Sequence, residues 1–291
     1  MKLKVLVLGS TGLIGHQVFN YLDSTEKYEM FNLSYRKKLN NETILCNVRS
    51  EKKFIDIIKL ITPDIIINCI GILINGANSN PENAIFINSY MPHVLMNLSN
   101  SLNCKLIHIS TDCVFSGDKG KPYLEKDHKD GKDTYAKTKG LGEIINTKHL
   151  TLRTSVIGPE LKPDGEELFH WFMSQSGEIK GYTKVIWSGV STLILAKVIF
   201  WSIENRTTGL YHVTNNKSID KFTLLTLMKK YTKKNILIHP FDEKELNKSF
   251  IDTRKELNFV IPTYDEMVKD MIFQAKNDKS IYSHYNFHYN Y

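Results

Sequence analysis

The stretch "KVLVLGSTGLIGHQVF", residues 4–19, decides the fold. After Lys4, Val5–Leu8 are a continuous apolar run, as expected of a parallel strand buried on both faces. Gly9, Gly12 and Gly15 follow as GxxGxxG, and Leu13, Ile14, Val18, Phe19 and Leu22 then recur at helical spacing. The chain must turn sharply at Gly9. At Gly12 the backbone must approach a pyrophosphate with no Cβ in the way, and Gly15 lets the helix lie close to the strand. Amides at the start of the helix then face the phosphates. Gly9, Ser10, Thr11, Gly12, Leu13, Ile14 and Gly15 are therefore expected to bind a dinucleotide cofactor. A lone glycine motif is weak, but this one sits between a strand and a helix, the context it requires.

Outward from this turn the first half alternates. Strand-like runs fall at 29–35, 43–48, 64–71, 104–110 and 150–158. Helical runs fall at 50–61 with Ser50 as N-cap, at 81–102 with Pro92 kinking or splitting it, and at 134–146. This rhythm implies an α/β protein with a parallel sheet covered on both faces, a Rossmann-type doubly wound sheet. After Gly158 the rhythm changes. Helices are expected at 165–177, 190–205, 220–234 and 263–278, and a short extended pair at 179–189. "GLYHVTN" (209–215) reads as a strand that rejoins the sheet or lies beside it, and "NILIHPF" (235–241) as another strand. The expected division is 1–157 for the dinucleotide, 158–280 as a smaller substrate-binding α+β region, and 281–291 as a tail. The tail, "IYSHYNFHYNY", reads as a loosely ordered terminus or as packing for a second subunit in a homodimer.

Composition bounds the function. The 291 residues are 42% hydrophobic and 24% charged, an ordinary globular mixture. No apolar run approaches membrane-spanning length. A secretory leader is disfavoured, because "GSTG" interrupts the first apolar run and no small-residue cleavage site follows. Cys46, Cys69, Cys104 and Cys113 share neither a CxxC nor a zinc spacing, so a reducing cytoplasm and no metal are expected. The formal charge is +7, but the basic residues are scattered and no recognition motif accompanies them. This speaks against nucleic acid and leaves attraction for an anionic small molecule.

The end of the second strand distinguishes two cofactors. NAD sites carry an acid there for the ribose 2′-hydroxyl. "NLSYRKK" has none, and Arg36 can pair a 2′-phosphate, so NADP(H) is preferred over NAD(H). Asn47 and Val48 after the third strand, and Cys69, Ile70 and Gly71 after the fourth, lie where a ligand crosses the strand ends.

The chemistry lies further on. "YAKTK" places Tyr135 and Lys139 on one helix face. An ammonium beside a phenol lowers its pKa, which tunes a proton donor for carbonyl reduction. "STDCVFSG" (110–117) ends the preceding strand, and Thr111 there can hold a carbonyl oxygen.

GxxGxxG, "STDCVF", YxxxK, "KTKGLGE" and "LRTSVIG" in this order resemble the extended short-chain dehydrogenase/reductases, most of all the dTDP-4-dehydrorhamnose reductase branch. The resemblance runs from Lys2 to about Met271 and is clearest through Gly158. It implies an NAD(P)H-dependent reductase of a dTDP- or UDP-linked 4-keto-6-deoxy sugar, with Thr111, Tyr135 and Lys139 catalytic. Lys139 would also hold the nicotinamide ribose, Tyr135 would bind the cofactor beside it, and Asn88 would stand near the cofactor. Cys113, Phe115 and Val156 would face substrate together with Thr111. Two positions depart from the branch: Cys113 stands where a Tyr is usual, and Val156 where a Trp is usual. These departures imply a sugar other than 4-keto-rhamnose, and 151–190 looks closer to relatives acting on UDP-linked 2-acetamido-2,6-dideoxy-4-hexuloses.

Dehydratases of this fold carry an Asp–Glu pair after the Thr, whereas Asp112 is followed by Cys113. A C4 epimerase would show no net cofactor consumption. A non-catalytic regulatory subunit would not need Thr111, Tyr135 and Lys139 together. A cysteine enzyme using Cys113 and His108 is disfavoured, since positions five apart on a strand face opposite sides.

Overall fold

The computed structural model describes residues 1–254, 256 and 258–287. β1 (Lys4–Leu8), α1 (Leu13–Ser24), β2 (Glu29–Ser34), β3 (Ile44–Leu45), α2 (Glu51–Ile61) and β4 (Ile65–Asn68) form the first half of the sheet with its helices. α3 (Ile74–Ser79), α4 (Pro81–Ala84), a π-turn (Ile85–Tyr90) and α5 (Met91–Ser101) lead to β5 (Lys105–Thr111). A single 3₁₀ turn (Asp112–Val114) leads on towards α6 (Thr134–Leu141), β6 (Leu150–Thr154) and β7 (Val156–Ile157). Then come α7 (Leu168–Ser174), β8 (Gly177–Tyr182), β9 (Val185–Trp187), β10 (Val190–Ser191), α8 (Thr192–Glu204) and β11 (Gly209–His212). β12 (Ile219–Asp220), α9 (Lys221–Thr232), β13 (Ile236–Phe241), β14 (Leu246–Asn247) and α10 (Tyr264–Asn277) complete the order.

Seven parallel strands form the main sheet in the order β11-β6-β5-β4-β1-β2-β3. Strand order reverses between β1 and β4, and in doubly wound sheets ligands bind outside the carboxyl ends of the strands at that point. The sheet is Rossmann-type, and β11 joins it beside β6 with His212 opposite Arg153. Each face has its own apolar layer. Val18, Phe19 and Leu22 of α1 join Val198 and Ile199 of α8 on one side. Phe54 and Ile58 of α2 join Leu95 and Leu98 of α5 on the other.

Several elements differ from the sequence reading. The run 43–48 keeps only two residues in the sheet, because β3 is an edge strand pairing β2 alone. β8 and β9 do not pair with each other as an extended pair. β8 runs parallel to β13, and β9 lies between β12 and β14. Partners distant in the chain replaced the local hairpin, which no short-range signal could show. The helical run expected at 81–102 is divided into α4, a π-turn and α5, and the break falls next to Pro92. This proline sits in the first turn of α5, behind the π-turn. Proline has no N–H for the carbonyl four residues back, here that of Asn88, and a Cβ on Gly142 would lie 1.9 Å from that oxygen. Glycine there lets the end of α6 close on the π-turn.

The tail is not loose. Tyr282, Tyr285 and Phe287 are buried against their own chain, which fixes residues 281–287 on the fold. Residues 288–291 of the expected tail lie outside the described residues. Among the described residues no helix is long and apolar enough to cross a membrane.

Candidate active site

The glycine turn is built as its spacing demands. Gly9 has φ +79°, a conformation L side chains rarely adopt. A Cβ on Gly15 would sit 2.1 Å from the Gly9 carbonyl oxygen. The amides of Gly9 and Ser10 donate to the Leu33 carbonyl at 2.8 and 3.1 Å, docking the turn on β2. α1 begins behind Gly12, which has no side chain to cap it, so the first-turn amides remain for an anion.

A cleft of about 510 Å³ opens over this turn. Gly9, Thr11, Gly12, Arg36, Asn47, Val48, Cys69, Ile70 and Gly71 line it, drawn from the ends of four strands. Arg49 and Lys162 line it too, with Tyr35, Asn80 and Asn83. No carboxylate stands among its described lining residues. Arg49 also donates to Asn83 Oδ1 (3.0 Å) and Glu82 Oε1 (2.9 Å), which directs it along the rim.

Other expected cofactor residues stand behind or beside the wall. Ser10 is fully buried, and its hydroxyl donates to Asn32 Oδ1 at 2.9 Å, so its side chain is structural. Leu13 and Ile14 open α1 next to the cleft. Asn88 does not line the cleft. Its Oδ1 accepts from Ile72 N (2.8 Å), and its Nδ2 donates to Ile72 O (3.0 Å) and Thr138 Oγ1 (3.2 Å). Fully buried, it fastens the wall at 70–72 to the helix carrying Tyr135 and Lys139.

Next to the cleft, β5, the neighbour of β4, ends at Thr111. Thr111 Oγ1 accepts from Cys113 N at 3.1 Å and contacts Asp112 Oδ1 at 3.1 Å. Asp133 caps α6 by accepting from Ala136 N at 2.8 Å, which orients Tyr135 and Lys139. The structure sets Tyr135 beside Thr111, Asp112 and Cys113. Burial pushes the Tyr135 phenol up, so it is a neutral proton donor. The expected lowering by Lys139 is not found: the Lys139 ammonium donates to the Ile109 carbonyl at 2.7 Å, and desolvation outweighs any charge near the phenol. Lys139 is itself lowered to about 8 by burial, with Glu143 and Cys69 opposing.

Phe115 is not on the substrate side. It is fully buried, stacked on Tyr123 at 4.1 Å between ring centroids, with the Arg153 guanidinium 5.0 Å from its ring. Residues 112–114 turn the chain inward and carry Phe115 into the core. Cys113 stays at the site, and Val156 is half-buried in β7. Burial pushes the Cys113 thiol up to about 12, with Asp112 adding to it, so no thiolate nucleophile forms.

Distant residues complete the site. Lys221, half-buried with its ammonium 5.1 Å from the Trp187 ring centre, is lowered to about 8 by burial, while Asp112, Glu167 and Cys113 pull it up. Glu167 is pushed up to about 7 by burial and then by Glu160. Beneath β5 lies a closed ionic network. Arg153 donates twice to Glu143, at 2.7 Å each, and to His212 Nε2 at 2.8 Å. Ser110 donates to Glu143 at 2.7 Å, and Lys129 pairs with it at 3.1 Å. Arg49 was within reach of sequence reading, as a basic residue just past Asn47 and Val48. Lys162, Glu167 and Lys221 carry no local signal.

A doubly wound sheet with its cleft at the β1/β4 reversal, and Thr111, Tyr135 and Lys139 gathered at the carboxyl end of the adjacent strand β5, defines a dinucleotide-binding protein of the short-chain dehydrogenase/reductase kind. Within that class the chain belongs to the RmlD substrate binding domain family, whose model matches residues 2–274. It is 28% identical over 218 residues to the spore coat polysaccharide biosynthesis protein SpsK of Bacillus subtilis (strain 168), covering 73% of this chain and 74% of that one. It is 30% identical over 159 residues to the dTDP-4-dehydrorhamnose reductase of Escherichia coli (strain K12), 53% of this chain and 51% of that one. The chain thus spans about half the length of that reductase. Among solved structures, the dTDP-4-dehydrorhamnose reductase of Bacillus anthracis in complex with NADP superposes with TM-score 0.79 at 23% identity, covering 94% and 99% of the two chains. UDP-glucose 4-epimerase of Thermotoga maritima with UDP-glucose gives 0.78 at 18%, covering 94% and 99%.

Proposed function

We propose that this chain is an NADPH-dependent reductase acting on the 4-keto group of a nucleotide-linked 6-deoxy sugar. Residues 1–157 serve mainly the cofactor and 158–280 mainly the sugar. The observation that carries the reading is Tyr135 and Lys139 on α6 beside Thr111 at the end of β5, next to a glycine-turn cleft. The cofactor named with the B. anthracis structure, NADP, suits this cleft: Arg36, Arg49 and Lys162 line it with no carboxylate among the described lining residues. When bound, that cofactor supplies the hydride.

The chain's own residues do the rest. Gly9, Gly12 and the start of α1 hold the pyrophosphate through backbone amides. Arg36 is the residue assigned to the 2′-phosphate. Thr111 turns its hydroxyl from Asp112 to the carbonyl oxygen, and Tyr135 gives its proton to that oxygen as charge develops. Lys139, held on the Ile109 carbonyl beside Tyr135, supplies positive charge for the nicotinamide ribose and the developing alkoxide. Cys113 and Val156 are assigned to the sugar pocket, with Lys221 and Glu167 beside them. The four cysteines are free in the structure, which supports a reducing cytoplasm as the compartment.

The test is consumption of NADPH with a panel of dTDP- and UDP-linked 4-keto-6-deoxy sugars. Turnover with at least one, lost in Tyr135→Phe, is expected. Sugar interconversion without net consumption would transfer the chain to the epimerases.

A further inference from the structure

Two ends of the molecule meet under the glycine turn. His16, one residue past Gly15, is fully buried, with Nδ1 2.8 Å from the Gly12 carbonyl and Nε2 2.7 Å from the Tyr282 hydroxyl. The protonation pattern of this chain of bonds follows from the partners. A carbonyl only accepts, so Nδ1 carries the hydrogen. Nε2 then accepts, and Tyr282 donates to it. Burial holds His16 at about 4, so the ring is neutral and this single tautomer persists at neutral pH. Gln17 stands on both sides of the same contact, with Oε1 3.4 Å from the Tyr282 hydroxyl and Nε2 donating to Gln274 Oε1 at 3.1 Å.

Three residues on, the tail grips the opposite rim. The Tyr285 hydroxyl accepts from Glu160 N at 3.0 Å and meets His170 Nδ1 at 3.0 Å. Its ring lies 5.5 Å from that of Phe169. The segment it holds carries Lys162, which lines the cleft, and Glu167, whose amide donates to Glu160 Oε1 at 2.9 Å. Asn75 closes the same rim from the cofactor half, donating to Glu166 Oε2 at 3.1 Å.

We infer that the tail 281–287 is a clasp that sets the cofactor cleft, with Tyr282 positioning the Gly12 carbonyl through His16 and Tyr285 holding the rim that bears Lys162. Gly12 turns its carbonyl inward to His16, which leaves the amides beyond it facing the cleft. Tyr282 and His16 are positioning residues and touch neither substrate nor cofactor. The inference rests on the reading of the cleft as a dinucleotide site only for its binding consequence.

The experiment has two arms on the full chain. In the first, ¹H–¹⁵N spectra of the His16 ring should show the neutral Nδ1–H tautomer from pH 5 to 8, and a changed ring environment in Tyr282→Phe. An Nε2–H tautomer or a ring that titrates near its ordinary value would overturn the clasp, whatever the ligand. In the second, calorimetry with NADP⁺ should show Tyr282→Phe binding about three- to tenfold more weakly, the scale of one hydrogen bond. Its melting temperature should fall by no more than the few degrees one buried hydrogen bond is worth, and its kcat should be little changed. Tyr285→Phe should weaken NADP⁺ less. Unchanged affinity in Tyr282→Phe alongside a parent that binds NADP⁺ defeats the positioning role. A parent that binds neither NADP⁺ nor NAD⁺ defeats the cofactor reading instead, and the first arm still decides the clasp.

Discussion

The two sides of the cleft are made by different means. The cofactor side is made of backbone: Gly9, Gly12 and the open end of α1 present amides, and side chains such as Asn88 and Ser10 serve behind the wall. The catalytic side is made of side chains on buried charge: Thr111, Tyr135 and Lys139 stand over Glu143, Arg153 and His212. Backbone sites depend on conformation and so are written in consecutive residues. Charged sites depend on desolvated partners, which the fold gathers from 110 to 221.

Removing chemistry from the catalytic side should have the largest effect. Tyr135→Phe should lower kcat by roughly 10²- to 10⁴-fold in the NADPH assay while leaving NADP⁺ binding nearly intact. A variant that kept its rate would end the role assigned to the phenol. Next comes the buried pair. Arg153 and Glu143 have side chains 1% and 0% exposed. Arg153→Met strands a carboxylate and should cost about 3–5 kcal/mol in denaturant unfolding. A loss below about 1 kcal/mol would mean that Lys129 alone satisfies Glu143.

On the backbone side, Gly15→Ala should displace the turn, costing about 1–3 kcal/mol and weakening cofactor binding more than Tyr135→Phe does. Equal binding by both variants would erase the contrast between the sides. Arg36→Ala should produce the smallest change, weakening NADPH more than NADH. Equal weakening would move the 2′-phosphate to Arg49 or Lys162.

The pH response separates the two sides again. Lys139 has a folded pKa lowered to about 8 from an unfolded value of 10.5. Activity should therefore fall as pH rises through about 8, when its charge is lost. Stability responds oppositely. Between about 8 and 10.5 the unfolded chain binds the extra proton, so this lysine's burial penalty is relieved as pH rises. Lys139→Met should remove both trends, measured by pH–rate profiles and by unfolding at pH 7, 8.5 and 10.

The sequence by itself determined the sheet class, the glycine turn, and the positions of Thr111, Tyr135 and Lys139. Each is set by short-range sterics or by a fixed spacing on one strand or helix. Arg36, Asn47 and Cys69 also needed only a place at a strand end. Tertiary structure alone decided that Phe115 faces inward and that Asn88 braces the wall. It also decided that Tyr135 is raised where a neighbouring lysine had been expected to lower it. That last outcome turns on burial, which depends on everything packed around a group and is invisible in a five-residue motif. The same holds for the tail. "IYSHYNFHYNY" has the composition of a loose end, yet Tyr282 closes a bond to a histidine 266 positions away. No local pattern encodes such a contact, because it exists only once both ends of the sheet's helical layer are in place.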